Sequence, residues 1–96
     1  MGTASDALAI DMEVALERAS VAERATLDQV RDFYASDSWL EGETGANALT
    51  EIDNVEFEID RLLGEECGAL GRVFKQSSEY EIGKNLLSEL RTRHQA

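Results

Sequence analysis

From Ala48 to Phe74 the chain alternates apolar and acidic residues at helical spacing. Leu49, Ile52, Val55, Ile59, Leu62, Leu63, Leu70, Val73 and Phe74 recur three or four apart, and Glu51, Asp53, Glu56, Glu58, Asp60, Glu65 and Glu66 fill the gaps. This pattern describes a helix with one apolar face and one strongly acidic face. It is expected to start near Thr44 or Asn47 and to span roughly 46–75. Gly64, Gly68 and Gly71 fall on one of its stripes, with Phe57 and Arg61 upstream on the same side. A glycine inside a helix costs about 1 kcal/mol against alanine, so three together need a reason. Two explanations stay open. Another helix packs on the stripe at close range, or the helix ends near Leu63 with Gly64 as its cap and a short helix follows.

Ahead of this segment lies a second periodic stretch, 4–35, with Thr3 or Ser5 as its N-cap. Leu8, Met12, Ala15, Ala19 and Ala22 are spaced four and three apart, and Leu27, Val30, Phe33 and Tyr34 continue the apolar content with larger groups. Unbroken, it would be a rod on the order of 45 Å long. Ser20-Val21-Ala22-Glu23 reads as a capping box, which keeps open a break near Ser20. The clearest loop is Ser36 to Gly45. Its Trp39 and Leu40 either fold back to plug the end of the helices or stand out as an anchor for a partner. Gln76-Ser77-Ser78 is a second turn. Ser78 to Glu81 reads as a capping box opening a third helix over 79–93, with Ile82, Leu86, Leu87 and Leu90 on its apolar face. Arg91, Arg93 and His94 gather at its C-terminal end, where the helix dipole favours positive charge.

The expected fold is therefore all-α: one domain spanning 1–96, a small helical bundle built on an antiparallel helical hairpin with a shorter C-terminal helix. The chain has no proline, which fits this reading. A rod of about 30 residues carries more apolar stripe than a short hairpin partner covers, so a symmetric homodimer is expected, packed through Leu8, Met12, Ala15, Ala19, Ala22 and the three glycines.

Net charge narrows the partners. It is −11 overall, and residues 32–66 hold eleven acids against Arg61 alone. Direct nucleic-acid binding and adhesion to an anionic membrane both need a basic face, so neither is expected. A protein partner with a basic surface is compatible. The first residues lack the basic and apolar run of a signal peptide, and no apolar run is long enough to span a bilayer, so a cytoplasmic location is expected. Cys67 is the single cysteine; Glu65 and Glu66 beside it oppose a thiolate, so it reads as a small buried apolar residue.

Catalytic chemistry is hard to assemble. His94, the one histidine, lies close to the last residue, where a general base is poorly held. There is no HExxH, no Cys/His zinc cluster, no GxGxxG and no P-loop lysine. Asp53, Glu56 and Asp60 share a helical face without the spacing of a calcium loop. The chain is expected not to be an enzyme and to need no cofactor or metal.

Two long helices joined by a loop carrying Trp39 loosely resemble the WXG100 family of secreted helical hairpins. The loop reads Trp39-Leu40-Glu41-Gly42, one residue too many for Trp-x-Gly. Tyr80 is followed four residues later by Lys84, where the family's export signal has Asp or Glu. Both defining motifs thus depart from the pattern.

The function expected from the residues is binding, not turnover. A small acidic helical protein of this kind fits a bacterial or phage regulator that masks a partner's interface, such as an antiactivator of a transcription factor or an anti-defence or immunity-type inhibitor. Trp39, Leu40, Phe57, Glu51, Glu56, Glu58 and Asp60 are its expected partner-binding residues. One alternative is a nucleic-acid mimic, with the acids of 32–66 standing in for phosphates in a basic site. Another is a WXG100-like secreted hairpin.

Overall fold

A computed structural model describes residues 4–95, with side chains from Asp11 onward. Among these residues the secondary structure is helical throughout: α1 Ala4–Arg18, α2 Val21–Ala35, a short 3-10 turn Ser38–Leu40, α3 Gly45–Glu65, α4 Gly68–Phe74 and α5 Ser78–His94. The all-α expectation holds. The continuous 4–35 rod does not form, and neither does the continuous 46–75 helix.

The first break falls where the capping box lies. Ser20 takes an extended conformation; its hydroxyl accepts the Glu23 N–H at 3.0 Å, while Glu23 Oε1 accepts the Ser20 N–H at 2.9 Å. These reciprocal bonds satisfy two donors that a new helix start would otherwise leave open. The Arg24 guanidinium closes the other side of the junction, donating to the carbonyls of Leu16 and Ala19. With the rod divided, the alanine stripe divides too. Met12, Ala15 and Ala19 pack toward the core, whereas Ala22 faces solvent. The side chain of Leu8 lies outside the described residues. The premise of a 30-residue stripe in need of a second copy is thereby removed.

The second break comes at Glu66–Cys67, a turn later than a Gly64 cap would place it. Gly64 lies inside α3, exposed to solvent. Gly68 supplies the reversal, with φ +58, a left-handed conformation that costs a side-chain-bearing residue roughly 1–2 kcal/mol. Gly71 lies where α4 turns back across the end of α3: a Cβ there would fall on the Leu63 carbonyl oxygen. The glycines are thus neither a single docking stripe nor a simple cap. The third helix is capped by Ser77, not Ser78: the Ser77 hydroxyl accepts the Tyr80 N–H at 3.2 Å.

α3 is the centre of the packing, in contact with α2, α4, α5 and the 3-10 turn, while α1 lies against α4. Its face of Ala48, Ile52, Val55, Ile59, Leu62 and Leu63 meets Leu27 and Val30 of α2, Leu70 and Phe74 of α4 and Leu87 of α5 in one buried cluster. Complete burial of each large aliphatic group is worth about 1.5–3 kcal/mol, so this face dominates the stability. The molecule measures 44 × 33 × 18 Å. Eighteen ångströms is about two helix diameters, so the slab has surface grooves but no thickness for a deep internal chamber.

Candidate interaction surface

The outward side of α3 follows from the inward one. With Ile52, Val55, Ile59 and Leu62 buried, the 3.6-residue period turns Thr50, Asp53, Phe57 and Gly64 to solvent. Phe57 is 73% exposed, at the middle of this ridge. A large aromatic standing free on an acid-rich helix is the least expected feature of the surface, since burial would return it several times the thermal energy.

The acids around it are not a free array. Arg61 donates to both Glu58 oxygens, at 2.7 and 3.1 Å, and to Glu66 Oε2 at 2.6 Å. Hydrogen bonding to Arg61 holds the Glu58 carboxyl below its ordinary value. Arg91 reaches across from α5 to Asp53 at 2.6 Å and to Glu56. The Tyr80 hydroxyl donates to Asp60 at 2.9 Å, and the Asn54 side chain donates to Glu51 at 3.4 Å. Each of the four acids expected to bind a partner, Glu51, Glu56, Glu58 and Asp60, therefore already has a partner within the chain. The pairing explains how α3 tolerates six carboxylates: three are neutralised by arginines, one of which comes from the basic end of α5. Sequence alone could not show this, because the Arg91 contacts cross between helices.

Trp39 and Leu40 take the plugging role. Leu40 is 6% exposed and belongs to the core, so it is removed from any docking surface. Trp39 is half-buried against the same cluster and donates its indole N–H to the Phe33 carbonyl at 3.1 Å, satisfying an acceptor freed at the end of α2. Cys67 is fully buried, and its thiol faces the Glu23 carbonyl at 3.8 Å. Burial, with Glu23 and Glu66 nearby, pushes its pKa up, away from reactivity. His94 is the last residue of α5, half-buried.

Two of the surface grooves flank the core. One, of about 380 Å³, runs between the end of α2 and the second half of α5, with Phe33, Leu86, Leu90 and Arg93 in its walls. The other, of about 270 Å³, lies between α1 and α4, lined by Val14, Ala15, Ala19, Leu70 and Val73. Among the described residues no group of three or more His, Cys, Asp or Glu side chains is arranged to hold a metal ion, and no helix is long and apolar enough to cross a membrane.

Two tyrosines give the interior a pH response. Burial, then the bond to Asp60, pushes Tyr80 up to about 12. Tyr34, whose ring lies over Gly83, is raised further, chiefly by burial. Both pKa values lie above the unfolded value of 10.0. Above that value the unfolded chain has released protons that the folded chain still holds, so stability falls as pH rises. This contribution is intact below pH 10 and is lost progressively through about pH 12. Urea midpoints followed alongside tyrosinate absorbance test this. A midpoint that stays constant while both tyrosines ionise contradicts it, and Tyr80→Phe should blunt the alkaline loss.

No known protein family matches the chain, and neither a curated protein nor a solved structure resembles it significantly.

Proposed function

We propose that this chain is a non-enzymatic binding protein that engages a protein partner with a basic surface and masks it, as an antagonist of that partner's normal contacts. The observation that carries the reading is Phe57, exposed at the centre of the α3 ridge. An aromatic anchor within a charged rim is the usual composition of a binding hot spot. The net charge of −11 would steer a basic partner, and Phe57 would supply the desolvated contact. Of the apolar residues expected to bind a partner, Trp39, Leu40 and Phe57, the reading now rests on Phe57. The nucleic-acid mimic draws less support, because Glu56 and Glu58 are already compensated by Arg91 and Arg61 and Asp60 by the Tyr80 hydroxyl. The secreted-hairpin reading draws little, since five helices replace the two long ones on which that resemblance rests.

The test is affinity capture from the native host with the wild-type protein and with Phe57→Asp. Because Phe57 packs against nothing in the core, the variant should keep the wild-type circular dichroism. We expect a protein retained by the wild type at moderate salt and lost with the variant. Identical captured sets would overturn the reading. Capture that survives Phe57→Asp but vanishes on raising the salt would favour the mimic instead.

A further inference from the structure

One flank of α5, beside buried Leu87, is only partly covered. Ile82 is 60% exposed and Leu86 39%, and Leu90 lies beside them, spaced four apart along one side of the helix. That stripe borders the groove walled by Phe33, Leu86 and Leu90. We infer that this surface receives a second copy of the same chain, with two α5 helices packed antiparallel across a two-fold axis at Leu86.

Three features select this occupant. The first is charge. In a molecule of net charge −11, self-association must avoid the acidic ridge. α3 carries six acids against Arg61, whereas α5 balances Glu79, Glu81 and Glu89 with Lys84, Arg91 and Arg93. α5 is therefore a face on which two copies repel far less than on α3. The second is polarity along the helix. Glu79 and Glu81 occupy the first turn and Arg93 and His94 the last, beside an Arg91 already taken up by Asp53 and Glu56, so α5 is complementary to its own inverted copy. Antiparallel helix dipoles add to this. The third is shape. Inversion about Leu86 sets Ile82 of one copy against Leu90 of the other and directs it into the groove beside Phe33, while Arg93 comes opposite Glu79. Glu79 already accepts both bonds of Arg31, yet its side chain stays 45% exposed. A protruding side chain and a receiving groove on one surface are what a two-fold interface requires. The helix is about 25 Å long, which gives an interface at the small end of the range for protein pairs. Association is therefore weak and concentration-dependent.

This inference is independent of the partner proposed for the α3 ridge. It is tested by analytical ultracentrifugation of the full chain from low micromolar to several hundred micromolar. A reversible monomer–dimer equilibrium is expected. Leu86→Lys places two ammonium groups face to face on the axis and should weaken the dimer about a hundredfold or more. Leu86 is surface-exposed, so circular dichroism should be unchanged. Leu86→Cys should cross-link into a disulfide dimer under a mild oxidant, whereas Asn85→Cys, on another side of α5, should not. Buried Cys67 should not interfere. A wild-type chain that is monomeric at every concentration overturns the inference. So does a dimer that tolerates Leu86→Lys, and loss of such a dimer with Val14→Lys would place the contact in the α1–α4 groove.

Discussion

Replacing Gly71 with alanine should lower the thermal midpoint by about 12–24 °C, a large effect for one methyl group. The added Cβ would fall on the Leu63 carbonyl oxygen, with the Leu63 carbonyl carbon and the Cys67 side chain also inside contact distance. A backbone carbonyl cannot change rotamer, so α4 must move away from the end of α3. α4 places Leu70 and Phe74 in the core and supports α1, so the displacement reaches both ends of the molecule. Overpacking of this kind costs about 3 kcal/mol. Gly64→Ala is the control. The nearest atom to a Cβ there is Lys75 Nζ at 4.0 Å, the end of a flexible chain. Alanine should fit without strain and stabilise the helix by about 0.5–1 kcal/mol. Differential scanning calorimetry of the two variants should therefore show shifts of opposite sign. If both move the midpoint alike, the close approach of α4 to Leu63 does not limit the stability.

That contrast also marks how far the sequence could be read. The apolar period of α3 needs no tertiary information, and Ile52, Val55, Ile59, Leu62 and Leu63 are buried as their spacing predicts. The break at Ser20 was legible because its chemistry is local: Ser20 and Glu23 are three residues apart and satisfy each other. The glycines were ambiguous because their roles are set from elsewhere. Gly71 is required by Leu63, Gly68 by the sign of φ, and Gly64 by nothing in its surroundings. Gly83, which the periodicity leaves unremarked, is required by the Tyr34 ring from α2. The interaction surface was legible in the same uneven way. The acidity of α3 is plain from composition, but its compensation by Arg91 depends on α5 folding back along it. Trp39 can plug or anchor, with plugging the commoner role, and the Phe33 carbonyl beneath its indole N–H fits the plug. Phe57, expected among the partner-binding residues, is outward because the period that buries Ile52, Val55 and Ile59 turns it to solvent.

Phe74→Ala should destabilise the fold by about 3–5 kcal/mol, a substantial part of the 5–15 kcal/mol that holds a domain of ordinary stability together. Phe74 is fully buried at the end of α4, and its ring meets side chains of both α2 and α5. Tyr80 of α5 packs edge-on at 6.0 Å between centroids, and the Arg31 guanidinium of α2 lies 5.9 Å from the ring centre. Arg31 in turn holds Glu79 through two bonds, at 2.8 and 3.1 Å. The ring thus supports a cation that ties α2 to the first turn of α5, and its loss would leave a cavity beneath a charged pair. Phe74→Leu refills most of that volume without an aromatic face, so it should recover the packing share of the loss and leave a residue of about 1 kcal/mol for the stacking. Urea unfolding of the two variants, each also combined with Arg31→Met, separates the terms. If Phe74→Leu costs the same with Arg31 present as in the Arg31→Met background, the guanidinium contact adds nothing and the ring acts through its packing alone. If Phe74→Leu costs more when Arg31 is replaced, the guanidinium contact is a cost and not a support, and the α2–α5 tie rests on the Arg31–Glu79 bonds alone.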